Sequence, residues 1–216
     1  MIGFNEYIRK IYNHLIRPHL PRKIGVFNGI PLRKPKLFDI NDYFPDWEEG
    51  ILRGIEEATS PGAKVIIIGG GWGGSTVKAA GLVGSKGSVI VYEGGMEQAR
   101  LLKYNLIINE VVGNVEVINS VVGSPVNVYG EKTGDIISPN ELPQCDLLVL
   151  DCEGSELEIV SNIRNKPNDM VIEVHPKNGV SLVDMEELLE SIGYEIIWVW
   201  DSQENHPPVV LASLSS

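Results

Sequence analysis

A loop with almost no side chains follows a strand-like run in the first half of the chain. In VIIIGGGWGGST, residues 65–76, five of the six positions from Gly69 to Gly74 are glycine. In a parallel sheet, the loop after the first strand opens onto the crevice where ligands bind, beside a helix N-terminus with free N–H groups. Gly69, Gly71 and Gly73 would let a ligand touch the backbone there. The alternative is a tight turn from strand to helix, which needs only one or two glycines.

Apolar runs of strand length alternate with helix-period segments from residue 64 onward. Such alternation predicts βαβ units and a mostly parallel sheet covered by helices on both faces. Ser155 and Glu158 form a predicted capping box at the start of one helix, and Gly193 ends another. The last two strand-like runs are joined by a link too short for a helical crossover, so they are expected to pair antiparallel. The predicted strands are KVIIIG, SVIVYE, VEVINSVV, DLLVLD, DMVIEVH, YEIIWVWD and VVLASL.

Residues 1–60 are predicted to form a mainly helical extension ahead of a main domain at 61–216. A short amphipathic helix opens it, and Asn28-Gly29 between apolar residues is typical of a β-hairpin, although prolines follow closely. The segment 45–58, PDWEEGILRGIEEA, predicts a helix that leads into the main domain. The apolar face of the first helix is formed by Phe4, Ile8, Ile11 and Leu15.

The charge of the chain is distributed unevenly. The net charge is −11, yet residues 1–37 hold eight Lys or Arg and one Glu, a net of +7, which leaves −18 on the remainder. An acidic body argues against a nucleic-acid partner, because such proteins usually present a basic face. We expect the basic arm to dock on this acidic body or on a second copy of the chain; an anionic membrane or glycan is the alternative.

Composition places the chain among globular intracellular proteins. It has 216 residues, of which 43% are hydrophobic, and no uncharged apolar stretch long enough to span a bilayer. Cys145 and Cys152 flank an apolar strand whose length would hold them too far apart for a disulfide. We therefore expect two reduced thiols and a cytoplasmic location.

An acid ends the second predicted strand. Glu93 closes SVIVYE, where a carboxylate can accept hydrogen bonds from both hydroxyls of a ribose. Together with the glycine-rich loop, Glu93 predicts a nucleoside ligand. These two features alone leave open whether that ligand is a dinucleotide or S-adenosylmethionine (SAM).

Six motifs, in order over about residues 64–176, resemble the FkbM-type family of class I SAM-dependent methyltransferases. The most specific is DCEGSELEIV, which is similar to the family's Asp-x-Glu-Gly-x-Glu signature and is followed by VIEVHP. The resemblance implies a Rossmann-like, mostly parallel seven-stranded sheet with a closing antiparallel strand, and SAM as cofactor. It places the methionine part of SAM at Gly69, Gly71 and Gly73, the ribose at Glu93, and the adenine near Asn119, Ser120 and Val121. The other four motifs are VIIIGGGWGGST, VIVYEGG, LLKYNLIIN and VEVINSVVG.

The chain departs from the family pattern near the cofactor. The family commonly has an acid where Ile67 stands in the first strand, and a proline where Gly94 follows Glu93. The missing acid would have organised the loop or held the methionine ammonium, and Glu48 or Glu49 of the preceding helix is a candidate substitute. Trp72 is a bulky neighbour for a cofactor. Three more aromatic residues, Tyr43, Phe44 and Trp47, are expected to anchor the extension in the core, with covering of the crevice as the alternative.

Candidate catalytic residues follow the fourth and fifth predicted strands. Methyl transfer to a hydroxyl needs an in-line nucleophile and a base for its proton, and Asp151 and Glu153 are the first candidates. The alternative is that Glu153 caps a helix and Asp151 orders the loop. His175 is the other candidate base, with Glu173 on the same strand face placed to orient it. These residues could also bind a metal, but no ligand spacing is diagnostic, so no metal site is predicted.

The sequence therefore predicts a SAM-dependent methyltransferase that methylates a hydroxyl of a small molecule or glycan. The substrate class is implied by the resemblance alone. A nucleoside-binding or scaffold protein that kept the fold without turnover is the second hypothesis, because of Ile67 and Trp72. An NAD-dependent oxidoreductase is the third.

Overall fold

A computed structural model describes residues 10–124, 134–201 and 206–215. The described part of the extension begins with helical turns at Tyr12–Ile16 and Arg17–His19. A small sheet follows, with strand order β2-β1-β3. Asn28 and Gly29 have φ angles of 46° and 80°, so left-handed residues close the β1–β2 turn and the predicted hairpin is confirmed. Its strands are β1 (Gly25–Phe27), β2 (Ile30–Leu32) and β3 (Tyr43–Phe44).

The first helical face of the extension is only partly within the described residues. Phe4 and Ile8 lie outside them. Ile11 and Leu15 are exposed, so the part of this face that the structure describes does not pack into the core.

Helix α1 (Glu49–Ala58) joins the extension to the main sheet. Its Ile51 and Ile55 are buried in one apolar cluster with Ile67 of the next strand. The helix lies very close to the sheet: a Cβ on Gly54 would stand 2.7 Å from the Val171 side chain. The extension and the main sheet therefore share a hydrophobic core, and the division at residue 60 stays a prediction.

Among the described residues, nine further strands follow α1, and seven of them form the main sheet in the order β11-β12-β10-β9-β4-β5-β6. β12 is antiparallel to both of its neighbours, and the other pairs in the sheet are parallel. The predicted mostly parallel sheet with its antiparallel strand is thus confirmed. The strands are β4 (Lys64–Ile68), β5 (Ser88–Tyr92), β6 (Val115–Ile118), β7 (Ser120–Val122), β8 (Asp135–Ile137), β9 (Leu147–Leu150), β10 (Asp169–Glu173), β11 (Tyr194–Trp200) and β12 (Val209–Leu214).

Helices cover both faces of the main sheet. α1 and the next two helices pack on one face, and the last two pack on the other. Burial on both faces explains why the central strands read as unbroken apolar runs. None of the helices in the described ranges has the length and apolar content needed to cross a bilayer. The four helices after α1 are α2 (Gly74–Val83), α3 (Met96–Ile108), α4 (Glu156–Asn162) and α5 (Leu182–Ser191).

Two local predictions were wrong. VEVINSVV is not one strand: it breaks at Asn119, whose amide donates a hydrogen bond to the Glu93 carbonyl oxygen, and β7 leaves to pair with β8. The capping box also does not form, because the Glu158 carboxylate accepts from the Ser124 N–H, 2.9 Å away. In both cases a hydrogen bond to a residue distant in sequence replaces the local interaction that the pattern predicted.

Candidate active site

The glycine loop, Gly69–Gly73, follows β4 and needs glycine for two different reasons. At Gly69, φ is +87° and a Cβ would stand 1.8 Å from the Asp151 carbonyl oxygen, so no other residue fits. At Gly71, φ is +49° and a Cβ would meet nothing within 4 Å. The first glycine lets two loops touch, and the second leaves backbone open to the space beside it. A tight turn would require only the first.

Glu93, just beyond β5, ties this loop to the next one. Its buried carboxylate accepts hydrogen bonds from the N–H groups of Gly71 and Gly95, each 2.8 Å away. Burial raises the pKa of Glu93, and these two N–H groups oppose that shift. Glu93 therefore holds the glycine loop in place before any ligand is considered.

A cavity of about 670 Å³ opens between the glycine loop, the extension and the carboxyl ends of the strands. Seven of the ten predicted site residues line it: Gly69, Gly71, Glu93, Ser120, Val121, Asp151 and Glu153. The other three lie behind its wall. A Cβ on Gly73 would face Leu102, the Asn119 amide binds the Glu93 carbonyl oxygen, and His175 is buried.

Acidic residues and one histidine meet where β9 and β10 end. We call Asp151, Glu153, Glu173 and His175 the acidic corner. The His175 Nε2 atom lies 3.6 Å from an Asp151 carboxylate oxygen, 3.6 Å from one of Glu153, and 4.0 Å from one of Glu173. The three predicted catalytic residues are thus brought together. Their roles stay predictions.

Glu156, rather than Glu173, orients His175. The His175 Nδ1 atom lies 2.7 Å from Glu156 Oε1, and the Glu156 side chain is fully buried. Sequence reasoning missed this contact, although Glu156 is the last acid of the Asp-x-Glu-Gly-x-Glu pattern. With Nδ1 bound to Glu156, Nε2 points towards the carboxylates of the acidic corner.

The crowding of these groups shifts their protonation. Burial, followed by repulsion from Glu173 and Glu48, raises the pKa of Asp151 well above its usual range. Burial and the neighbouring carboxylates also raise the pKa of Glu173, to about 8. Burial alone would lower the pKa of His175, but the hydrogen bond to Glu156 and the charge of Asp151 outweigh it and raise the value. Around neutral pH the acidic corner therefore retains protons that exposed carboxylates would have lost.

No protein-family model matches the chain, and no curated protein matches it either. Solved structures, in contrast, are similar to the chain. A ribosomal protein L11 methylase from Lactobacillus delbrueckii subsp. bulgaricus aligns over 80% of each chain, with a TM-score of 0.56 and 16% identity. The fold is that of the class I SAM-dependent methyltransferases.

Two other solved structures with this methyltransferase fold are similar. A precorrin-6y C5,15-methyltransferase from Geobacter metallireducens GS-15 covers 84% of this chain and 93% of its own, with a TM-score of 0.54 and 18% identity. The O-methyltransferase TomG from Streptomyces achromogenes, in complex with SAM, covers 78% of this chain and 79% of its own, with a TM-score of 0.53 and 15% identity. At such identities the likeness shows the fold, and the FkbM-type family stays a resemblance.

The extension contributes more to the site of this methyltransferase fold than the sequence suggested. Phe44 stacks on Phe27, and Trp47 packs edge-on against Phe27. Trp47 also lines the cavity, so it both anchors the extension and covers the crevice. Tyr43 is exposed and does not anchor the extension. Lys34 also lines the cavity, with its Nζ atom over the Trp47 ring, and burial lowers the pKa of Lys34 to about 8. No local pattern could have revealed this apposition, because it depends on how the hairpin docks.

The basic arm pairs mostly within the extension. Arg17 binds Asp39 and Lys23 binds Asp42, at 2.6 Å and 3.0 Å. Arg22 stacks over Trp72 and lies 3.5 Å from a carboxylate oxygen of Glu97 on α3. Arg33 also stacks over the Tyr104 ring of α3, so contact with the acidic body runs through both Arg22 and Arg33.

Metal-ligating atoms also lie close together in the acidic corner. One ligand atom each from Asp151, Glu173 and His175 lie within 4.8 Å of one another. This spacing and these oxygen and nitrogen ligands would suit a divalent cation. The sequence predicts no metal, and that prediction stays open to a direct test.

Proposed function

We propose that this chain is a SAM-dependent methyltransferase that methylates a hydroxyl group of a small molecule or glycan. One observation carries the proposal: a bare backbone loop and the three carboxylates of the acidic corner face the same cavity at the carboxyl ends of adjacent parallel strands. This is where open α/β sheets bind their ligands. The fold of the solved methyltransferases supports SAM as the cofactor.

The residues of the cavity fit a nucleoside with an amino-acid tail. The backbone of Gly71 is open to the cavity. One Glu93 oxygen accepts from Gly71 and the other from Gly95, and each keeps a second lone pair for a ribose hydroxyl. The buried Gln98 side-chain oxygen also lines this region and has no hydrogen-bond partner among the described residues. Ser120 and Val121 of β7 form the adjoining wall, consistent with the predicted adenine site.

Chemistry would then take place at the acidic corner. When bound, SAM supplies an electrophilic methyl group on a sulfonium. Asp151 would accept the proton that the acceptor hydroxyl loses on methylation, a reaction that would release S-adenosylhomocysteine. The raised pKa of Asp151 makes its unprotonated form a stronger base than an exposed carboxylate, and the reaction requires that form.

Glu153 and His175 would support this step. Glu153 accepts a hydrogen bond from the Asn178 amide at 3.0 Å, which fixes its carboxylate beside the His175 ring. His175 is held by Glu156, with its Nε2 atom 3.6 Å from an Asp151 carboxylate oxygen. If Asp151 is not the base, His175 is the next candidate because its Nε2 atom faces the same carboxylates.

The proposal is tested by calorimetric titration with SAM and NADH, followed by assay of S-adenosylhomocysteine (SAH) release with panels of sugar and phenol acceptors. We expect SAM to bind and SAH to form with at least one hydroxyl acceptor. SAM binding without turnover on either panel would favour the scaffold hypothesis, which the apolar Ile67 motivates. Binding of NADH but not SAM would overturn the proposal in favour of an oxidoreductase.

A further inference from the structure

The strand before the glycine loop carries no acid, and the structure gives a packing reason. Ile67 is completely buried in the apolar cluster that includes Ile51 and Ile55 of α1. Its side chain faces the interior beneath that helix. A carboxylate in this position would be buried among aliphatic side chains, which is costly without a partner.

The helix that covers Ile67 begins with an acid beside the glycine loop. Glu48 immediately precedes α1, and its Oε2 atom lies 3.4 Å from where a Cβ on Gly74 would stand. Gly74 is the residue that follows the glycine loop and opens α2. Glu48 also lines the same cavity as Gly71 and Asp151. A carboxylate is therefore present beside the loop, but it comes from the extension.

The position of Glu48 is fixed by close packing. Its φ angle of 51° is left-handed, a conformation that a non-glycine residue keeps only where its surroundings impose it. They do so here, because a Cβ on Gly50 would stand 2.8 Å from the Trp200 ring and one on Gly54 would strike Val171. The start of α1 is therefore packed closely against the sheet, and this packing places the Glu48 carboxylate beside the loop.

The electrostatics of the cavity suit a cationic ligand group next to Glu48. Burial raises the pKa of Glu48, and the Trp47 side chain and the nearby Lys34 ammonium oppose that shift. Within the described residues, no cation forms an ion pair with Glu48, and the Lys34 Nζ atom sits over the Trp47 ring instead. A second positive group beside this carboxylate would offset its desolvation.

We propose that the Glu48 carboxylate binds the α-ammonium group of the cofactor's amino-acid tail, in place of the acid that Ile67 lacks. The extension is then part of the cofactor site. Glu49, the other candidate in the sequence, also lines the cavity but is exposed, so solvent screens its charge and a cationic partner would gain less there. This inference rests on the proposed function, since it assumes that an S-adenosyl compound binds.

Two ligands that differ only in the amino-acid tail test this subsite. SAH carries the ammonium, whereas 5′-methylthioadenosine has the same nucleoside and a thioether without it. We expect Glu48→Gln to weaken SAH binding about 10- to 100-fold, as loss of a charge-assisted hydrogen bond would, and to leave 5′-methylthioadenosine binding within about twofold. The adjacent Glu49→Gln should change neither.

The outcomes separate this inference from the proposed function. Equal SAH affinity in wild type and Glu48→Gln would overturn the subsite while leaving the function intact. Equal loss of both ligands in Glu48→Gln would show a structural role and would also overturn it. If the wild type bound neither ligand, both proposals would fail.

Thermal unfolding provides the second measurement. Because burial disfavours the charged Glu48, the Gln variant should unfold at the same temperature as the wild type or higher. A clear drop in its melting temperature, with SAH affinity unchanged in the folded fraction, would contradict a binding role.

Discussion

The glycine loop and the acidic corner are two walls of one cavity, and they are built in opposite ways. The loop presents backbone, and its acid, Glu93, is already engaged by two N–H groups. The corner presents side chains, with three carboxylates within 4.0 Å of one imidazole nitrogen. A fixed backbone can recognise the shape of a ligand without changing protonation, whereas crowded titratable groups can move a proton. We therefore propose that the loop binds the ligand and that the corner carries out the chemistry.

The two walls meet at a close backbone contact. β4 and β9 are adjacent and parallel, with Ile68 opposite Leu150, so the loops that follow them leave the sheet side by side. Gly69 and the Asp151 carbonyl group touch at this point. The position of the acidic corner therefore depends on a glycine of the binding wall.

The largest effect is expected from Gly69→Ala, which would break this contact. Its Cβ would overlap the Asp151 carbonyl oxygen and would also force a left-handed alanine. We expect the free energy of unfolding to fall by about 4 kcal/mol or more in chemical denaturation. Gly62→Ala is the matched control, because φ is +88° there and a Cβ would meet nothing within 4 Å. It should cost only about 1 kcal/mol, and equal losses in the two variants would refute the contact.

Asp151→Asn should separate chemistry from binding. We expect turnover to fall about 10²- to 10⁴-fold, the usual range for loss of a general base, while calorimetric SAH affinity stays within about twofold. Glu153→Gln should reduce turnover less. Unchanged rates in both variants would move the base to His175.

Glu93→Gln should show the reverse pattern. An amide has one acceptor oxygen, so one of the N–H groups of Gly71 and Gly95 would lose its partner. SAH affinity should fall about 10- to 100-fold, and turnover at saturating SAM should remain near the wild-type value. A loss of turnover that exceeds the loss of affinity would erase the distinction between the walls.

The smallest expected effect is a change in the way the melting temperature depends on pH. The pKa of Glu173 is about 8 in the folded protein and about 4.3 in an unfolded chain, so the folded state binds more protons between these values. Its contribution to stability is present below pH of about 4.3 and is lost as the pH rises to about 8. Glu173→Gln keeps the uncharged form throughout, so its melting temperature relative to wild type should rise by a few degrees from pH 5 to pH 8.5. A constant difference across this range would mean that the acidic corner does not hold Glu173 protonated.

Elements with a strong local pattern were predictable from the sequence. Apolar periodicity and glycine content predicted the strand, loop and helix around Gly69, and the strand that ends at Glu93. The short link between the last two strands predicted that they pair antiparallel. Each of these signals lies within about 20 residues of chain. They were sufficient to predict the sheet and the edge at which the site lies.

Contacts between distant segments were not predictable in the same way. Asn119 breaks a strand because its amide finds the Glu93 carbonyl oxygen, and Glu156 reaches His175 across 19 residues. Lys34 and Trp47 enter the cavity because the hairpin docks beside it. These contacts form only when distant segments pack together, so the sequence around each residue does not reveal them.

A crystal structure of the protein with bound SAH would test the division between the two walls most directly. We predict the ribose hydroxyls on Glu93, the adenine beside Ser120 and Val121, and the sulfur atom facing the Asp151 carboxylate across a space for an acceptor hydroxyl. SAH bound with its sulfur turned away from the acidic corner, or outside this cavity, would contradict it.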